Sequence, residues 1–152
     1  VGANGIYLEG GKKMSTTIRP EISKKNRYWI DKHRYYELKH FCLQYPTWKK
    51  AHASLDSMVR FAYDVVNSGR TNKIQRPVED TVIAREYYSE RIAIVDEAAK
   101  ETDEDLGKYI LKAVTEGLSY ECLRAQTNIP CCKDTYYDLY RRFFWTLNKI
   151  RK

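Results

Sequence analysis

Apolar residues recur every three or four positions along most of this chain, and no stretch alternates apolar and polar for long. That period is the one that puts residues on a single face of an α-helix. From Lys25 to Gln44, residues Tyr28, Tyr35, Leu38, Cys42 and Tyr45 keep helical spacing. Pro46 then suits the first turn of a second helix, where its missing N–H has no partner to lose. Trp48, Ala51, Leu55, Met58, Ala62 and Val65 carry that helix to Asn67-Ser68-Gly69. The two are expected to form an antiparallel hairpin over 25–68 with a Tyr-Pro corner. The Trp48 to Val66 stripe of the second helix serves as intramolecular core or as a homodimer seam.

Residues 69–79, GRTNKIQRPVE, lack periodicity and read as a linker. Asp80 is the expected N-cap of a long helix to about Lys100, with Ala84, Tyr88, Ile92, Val95 and Ala99 inward. Thr102 or Asp103 is expected to cap the next helix, which buries Leu106, Ile110, Ala113 and Val114. Gly117 suits the left-handed position that closes it. Ser119 is a good N-cap for a short helix from Tyr120 to about Gln126. Thr127-Asn128-Ile129-Pro130 breaks the chain, because proline disfavours a helical residue before it. A last helix runs from about Lys133 to Ile150, with Tyr136, Tyr140, Phe143, Leu147 and Ile150 on one stripe.

The expected fold class is therefore all-α: a helical hairpin, then a long helix leading into a C-terminal helix-turn-helix over 103–150, within a domain spanning 80–152. A short helix, a turn and a longer basic helix make that motif, whose second helix enters a major groove. The candidate DNA-binding residues are Lys133, Asp134, Thr135, Tyr137, Asp138, Arg141 and Arg142. Arginine and short polar side chains reach base edges, and basic side chains neutralise phosphates. Tyr137 would donate to a phosphate or touch a thymine methyl.

The charge sharpens this picture. The net charge is +7, and it sits at the ends: residues 1–56 balance at +6, 57–130 at −3 and 131–152 at +4. A polyanion is the natural partner of such ends. No run approaches the ~18 apolar residues of a membrane helix, so a membrane partner is not expected. The first residues show no secretory signal, and four cysteines without metal spacing suggest thiols in a reducing cytoplasm. Cys42 and Cys122 read as small buried apolar residues. Cys132 stands at a helix N-terminus, where a thiol is acidified. No C-x-x-C, Ser/His/Asp set or phosphate-cradling glycine loop is present, so neither an enzyme, a metal nor a cofactor is expected. His33, His40 and His52 read as ordinary surface or half-buried histidines. The 13 tyrosines are mostly expected in the core, their hydroxyls reaching water.

Residues 1–24 are expected to be a disordered leader or tail, of which 1–13 are translated upstream leader. Glu9-Gly10-Gly11 can be encoded by a purine-rich ribosome-binding sequence, with two lysine codons before Met14. Met14 is then the natural start, in a bacterial or phage gene.

The stretch EGLSYECLRAQTNIPCCKDTYYDLYRR, from Glu116 to Arg142, resembles region 4 of sigma-70 factors. Glu116 to Glu121 match directly, while Leu123, Ile129, Thr135, Tyr136 and Tyr137 fit in type. The turn is about two residues longer, and Asn128 stands where glycine is common. From about Lys24 to Arg151 the chain also resembles phage and prophage late-gene regulators of the ArpU/RinA type. KNRYWIDKHRYYELKHFCLQYPTWKKA, YYSERIAIVDEAAKETD and YYDLYRRFFW carry that likeness. The resemblance implies double-stranded DNA binding near a promoter and work with RNA polymerase. A small terminase-like packaging protein is the alternative, as is a protein-interaction module without DNA affinity.

Overall fold

A computed structural model describes residues 24–69 and 75–152. They are all-helical: six helices and no strand among the described residues. The expected leader falls outside them, except for its last residue. So do residues 70–74 of the expected linker.

The chain enters through a turn. Asn26 accepts from the Tyr28 N–H through its side chain, at 2.9 Å, and from the Trp29 N–H through its carbonyl, at 3.0 Å. Asp31 then caps helix α1 (Lys32–Leu43), accepting from the His33 N–H at 3.0 Å. The first helix therefore starts at Lys32 and not near Lys25. Tyr28 lies before it and packs its ring on Trp145, 5.5 Å away.

Helix α2 (Tyr45–Asn67) follows after Gln44 alone. Gln44 keeps right-handed helical dihedrals, so nothing at this junction reverses the chain. The expected α1–α2 hairpin does not form. Helix α2 pairs instead with α3 (Gln75–Thr102), while α1 packs on α4 (Gly107–Glu116) and α6 (Lys133–Ile150). Helix α3 begins before Asp80, which is an interior residue and not its N-cap. Asp103 does act as a cap, but of the turn before α4: its carboxylate accepts from the N–H groups of Asp105 and Leu106, at 3.0 and 2.7 Å. Thr102 is buried, its hydroxyl donating back to the Ala98 carbonyl at 2.7 Å. Gly117 closes α4 at φ +67°, as a left-handed C-terminal residue.

Helix α6 is central. Tyr136, Leu139, Tyr140, Phe143, Phe144 and Leu147 are all buried. They join Tyr35, Leu38 and Trp48 from the N-terminal helices, Val95 and Ala98 from α3, and Ile110 from α4 in one hydrophobic core. The expected boundary at 69–79 therefore does not divide two cores. Phe144 packs edge-on against Tyr35 at 5.0 Å. The hydroxyls of Tyr35 and Tyr140 satisfy each other inside this core, 2.8 Å apart, as buried polar atoms must. A polar clamp ties α1 to the end of α6. The Arg34 guanidinium donates to the Asn148 side chain, to Glu37 and to the Arg151 carbonyl, and Arg151 also donates to Glu37 at 2.7 Å. These cations hold the Glu37 carboxyl below its ordinary value, the Arg34 hydrogen bond contributing most.

Candidate nucleic-acid interface

The chemistry-bearing segment is α5 (Tyr120–Thr127), a five-residue break and α6. Ser119 caps α5, its hydroxyl accepting from the Cys122 N–H at 3.2 Å. Asn128 ends it in the left-handed conformation, φ 50°, which asparagine tolerates better than most residues. The break is held at both ends. Ile129 is buried in the core. The Tyr120 hydroxyl donates to the Cys131 carbonyl at 2.8 Å, and the Tyr120 ring packs on Tyr136 at 5.3 Å. Cys132, in extended conformation, precedes α6.

Lys133, Asp134, Thr135, Asp138 and Arg142 are exposed, and Arg141 is half-buried. The structure thus places six of the seven candidate residues at the surface of one helix. Tyr137 is the exception, at 6% exposure. Its ring lies against Tyr136 and Tyr140, 5.0 and 6.5 Å away. It supports α6 and does not reach outward. The cause is the width of the buried face: α6 packs against three other helices, so its buried side extends beyond the stripe of residues spaced three and four apart.

Two contacts that the spacing could not reveal alter the charge of this face. Lys133 Nζ lies 2.6 Å from Glu121 on α5. That bond holds the Glu121 carboxyl below its ordinary value and lifts the Lys133 ammonium above its own. Arg27, from the entry turn, stands 4.0 Å from Asp138 and over the Tyr28 ring at 4.5 Å. Arg27 is a candidate contact residue that the reading of α6 missed. Its only signal was the basic excess of residues 1–56. The pairing of Glu121 carried no signal in the spacing, since its partner is twelve residues away. Beside the break lies an open groove of about 830 Å³, lined by residues including Glu121, Arg124, Asn128, Cys131, Cys132 and Lys133.

The cysteines divide by position. Cys42 is wholly buried, as expected, and burial pushes its thiol far up. Cys122 is exposed, against expectation: Leu123 beside it turns into the core. Cys132 is exposed, and its thiol is lowered, chiefly by the Thr135 hydroxyl 3.2 Å away and then by backbone N–H groups of the first α6 turn. Cys131 is half-buried and shifted the opposite way by desolvation. Among the described residues, no three His, Cys, Asp or Glu side chains converge as metal ligands do.

No family model, curated protein or solved structure matches the chain. No helix among the described residues is long and apolar enough to cross a membrane.

Proposed function

We propose that the protein binds double-stranded DNA through α6, as a phage-type transcription regulator working in the cytoplasm with RNA polymerase. One observation carries the reading: α6 is fixed by a buried aromatic face while Lys133, Thr135, Arg141 and Arg142 stand at its outer surface. A rigid helix with exposed cations and short polar groups can lie in a major groove and lose little entropy on docking. The α5–break–α6 order supports a helix-turn-helix, and the likeness to sigma-70 region 4 and to ArpU/RinA-type regulators points the same way. In this reading Asp138 accepts from a cytosine amino group, and Arg27 adds a phosphate contact beside it.

Anisotropy of labelled duplex DNA over a salt series tests the proposal. Each phosphate contact contributes a slope of about −0.9 to log K against log salt. Exchanging Lys133 and Arg142 for alanine together is expected to flatten that slope by about two units and leave helicity unchanged. A chain with no salt-dependent duplex affinity would refute it. The charge pairs Lys133–Glu121 and Arg27–Asp138 favour a second reading, a docking face for another protein with no DNA affinity. That outcome is the one such a negative titration supports.

A further inference from the structure

Helix α2 presents two faces, and among the described residues only one is packed into the core. Trp48 and Val59 are buried, and Leu55 and Ala62 are half-buried on the same side. Turned away from that line runs a second stripe: Ala51, Ser54, Met58, Phe61 and Val65, at steps of three, four, three and four. This is the heptad spacing of a two-helix seam. Met58 is 59% exposed and Phe61 71%. Ser54 is also exposed, and Ala51 and Val65 are half-exposed.

The order of side chains along the stripe identifies its occupant. Small residues, Ala51 and Ser54, lie on the N-terminal side of Met58; larger ones, Phe61 and Val65, lie on the C-terminal side. A two-fold axis near Met58, with a second α2 running antiparallel, sets Phe61 beside Ser54 of the partner copy and Val65 beside Ala51. Met58 meets Met58 at the axis, where its flexible thioether fills irregular space. Large against small fills both sides of the seam without overpacking. The flanking charges agree. Lys50 and Asp64 sit one residue before Ala51 and Val65, both exposed. The same axis brings Lys50 of one copy to Asp64 of the other, with Ser57 between them at the axis. Neither is held in an ion pair of its own chain among the described residues. A parallel pairing would instead stack Phe61 on Phe61, and would leave Lys50 and Asp64 separated by roughly 21 Å of helix rise.

We infer that two copies of this chain associate through an antiparallel, two-fold contact of their α2 helices along Ala51, Ser54, Met58, Phe61 and Val65. The seam spans about four helical turns, so association is concentration-dependent. It does not depend on whether α6 binds DNA.

Sedimentation equilibrium of the full chain tests it. The expected mass shifts from one 18.0 kDa chain towards two as concentration rises into the micromolar range. Phe61→Glu, at a well-exposed position, is expected to raise the dimer dissociation constant at least tenfold with unchanged circular dichroism. Lys50→Asp and Asp64→Lys are each expected to weaken the dimer, and the double exchange to restore it. A monomer at every concentration, an assembly larger than two, a dimer indifferent to Phe61→Glu, or a double exchange no better than either single one would overturn the inference.

Discussion

At the scale of single residues, burial decides what a polar group can do. The Tyr35 and Tyr140 hydroxyls are each other's partners inside the core. Tyr35→Phe strands the Tyr140 hydroxyl, which is expected to cost about 1 to 3 kcal/mol in denaturant unfolding. Changing both tyrosines to phenylalanine removes donor and acceptor together, and the double variant is expected to be more stable than the two single losses would sum to. Cysteine reactivity follows the same logic. The Thr135 hydroxyl lowers the Cys132 thiol, while burial raises that of Cys42. Peptide mapping after brief iodoacetamide treatment is expected to show Cys132 carboxamidomethylated and Cys42 untouched until the chain unfolds. Thr135→Val is expected to slow the labelling of Cys132; an unchanged rate would mean the hydroxyl does not activate it.

Elements are positioned by contacts that single-helix patterns do not contain. Gly107 opens α4 against α3, and a Cβ there would collide with the Ala99 carbonyl oxygen, a backbone atom with little room to yield. Gly107→Ala is therefore expected to destabilise the fold by about 1 to 3 kcal/mol, although alanine is the better helix former. Its midpoint in urea would stay at the wild-type value if α3 and α4 could simply slide apart. Ser119→Ala removes the α5 cap and is expected to cost about 1 kcal/mol, with loss of helicity confined to Tyr120–Thr127. The periodicity of α4, α5 and α6 was legible because each has strong end signals: Gly117, Ser119 and the Asn128-Ile129-Pro130 break. The start of α3 was not. Asp80 looks like a cap in sequence, yet α3 begins at Gln75; a capping preference is worth only about 1 kcal/mol and does not by itself fix where a helix starts.

The whole molecule has one core that draws on both its halves. Tyr45, Tyr136 and Tyr140 all have hydroxyls raised well above the ordinary value of 10.0, burial being the largest cause in each. For Tyr45 the hydrogen bond to Asp96, at 2.6 Å, adds to this. The folded chain thus holds protons that the unfolded chain releases, so stability is fully present below pH 10 and falls as pH rises beyond it. Urea midpoints are expected to drop progressively above that pH, with a second, later rise in tyrosinate absorbance, that of the buried tyrosines, appearing together with unfolding. Ionisation of these tyrosines in a still-folded chain would contradict the packing described here.

The sequence by itself determined the helical class, the C-terminal end of α4, the ends of α5 and α6, and the side of α6 that turns inward. Those depend on local spacing, on glycine, serine and proline at chain breaks, and on the need to bury an apolar stripe. The tertiary structure decided which helices pair, that Tyr137 is enclosed and that Glu121 and Arg27 meet the face of α6. It also decided which of two stripes on α2 packs into the core of the described residues. A helix can satisfy its apolar face against any partner of suitable shape, so periodicity fixes the face and only three-dimensional packing fixes the neighbour.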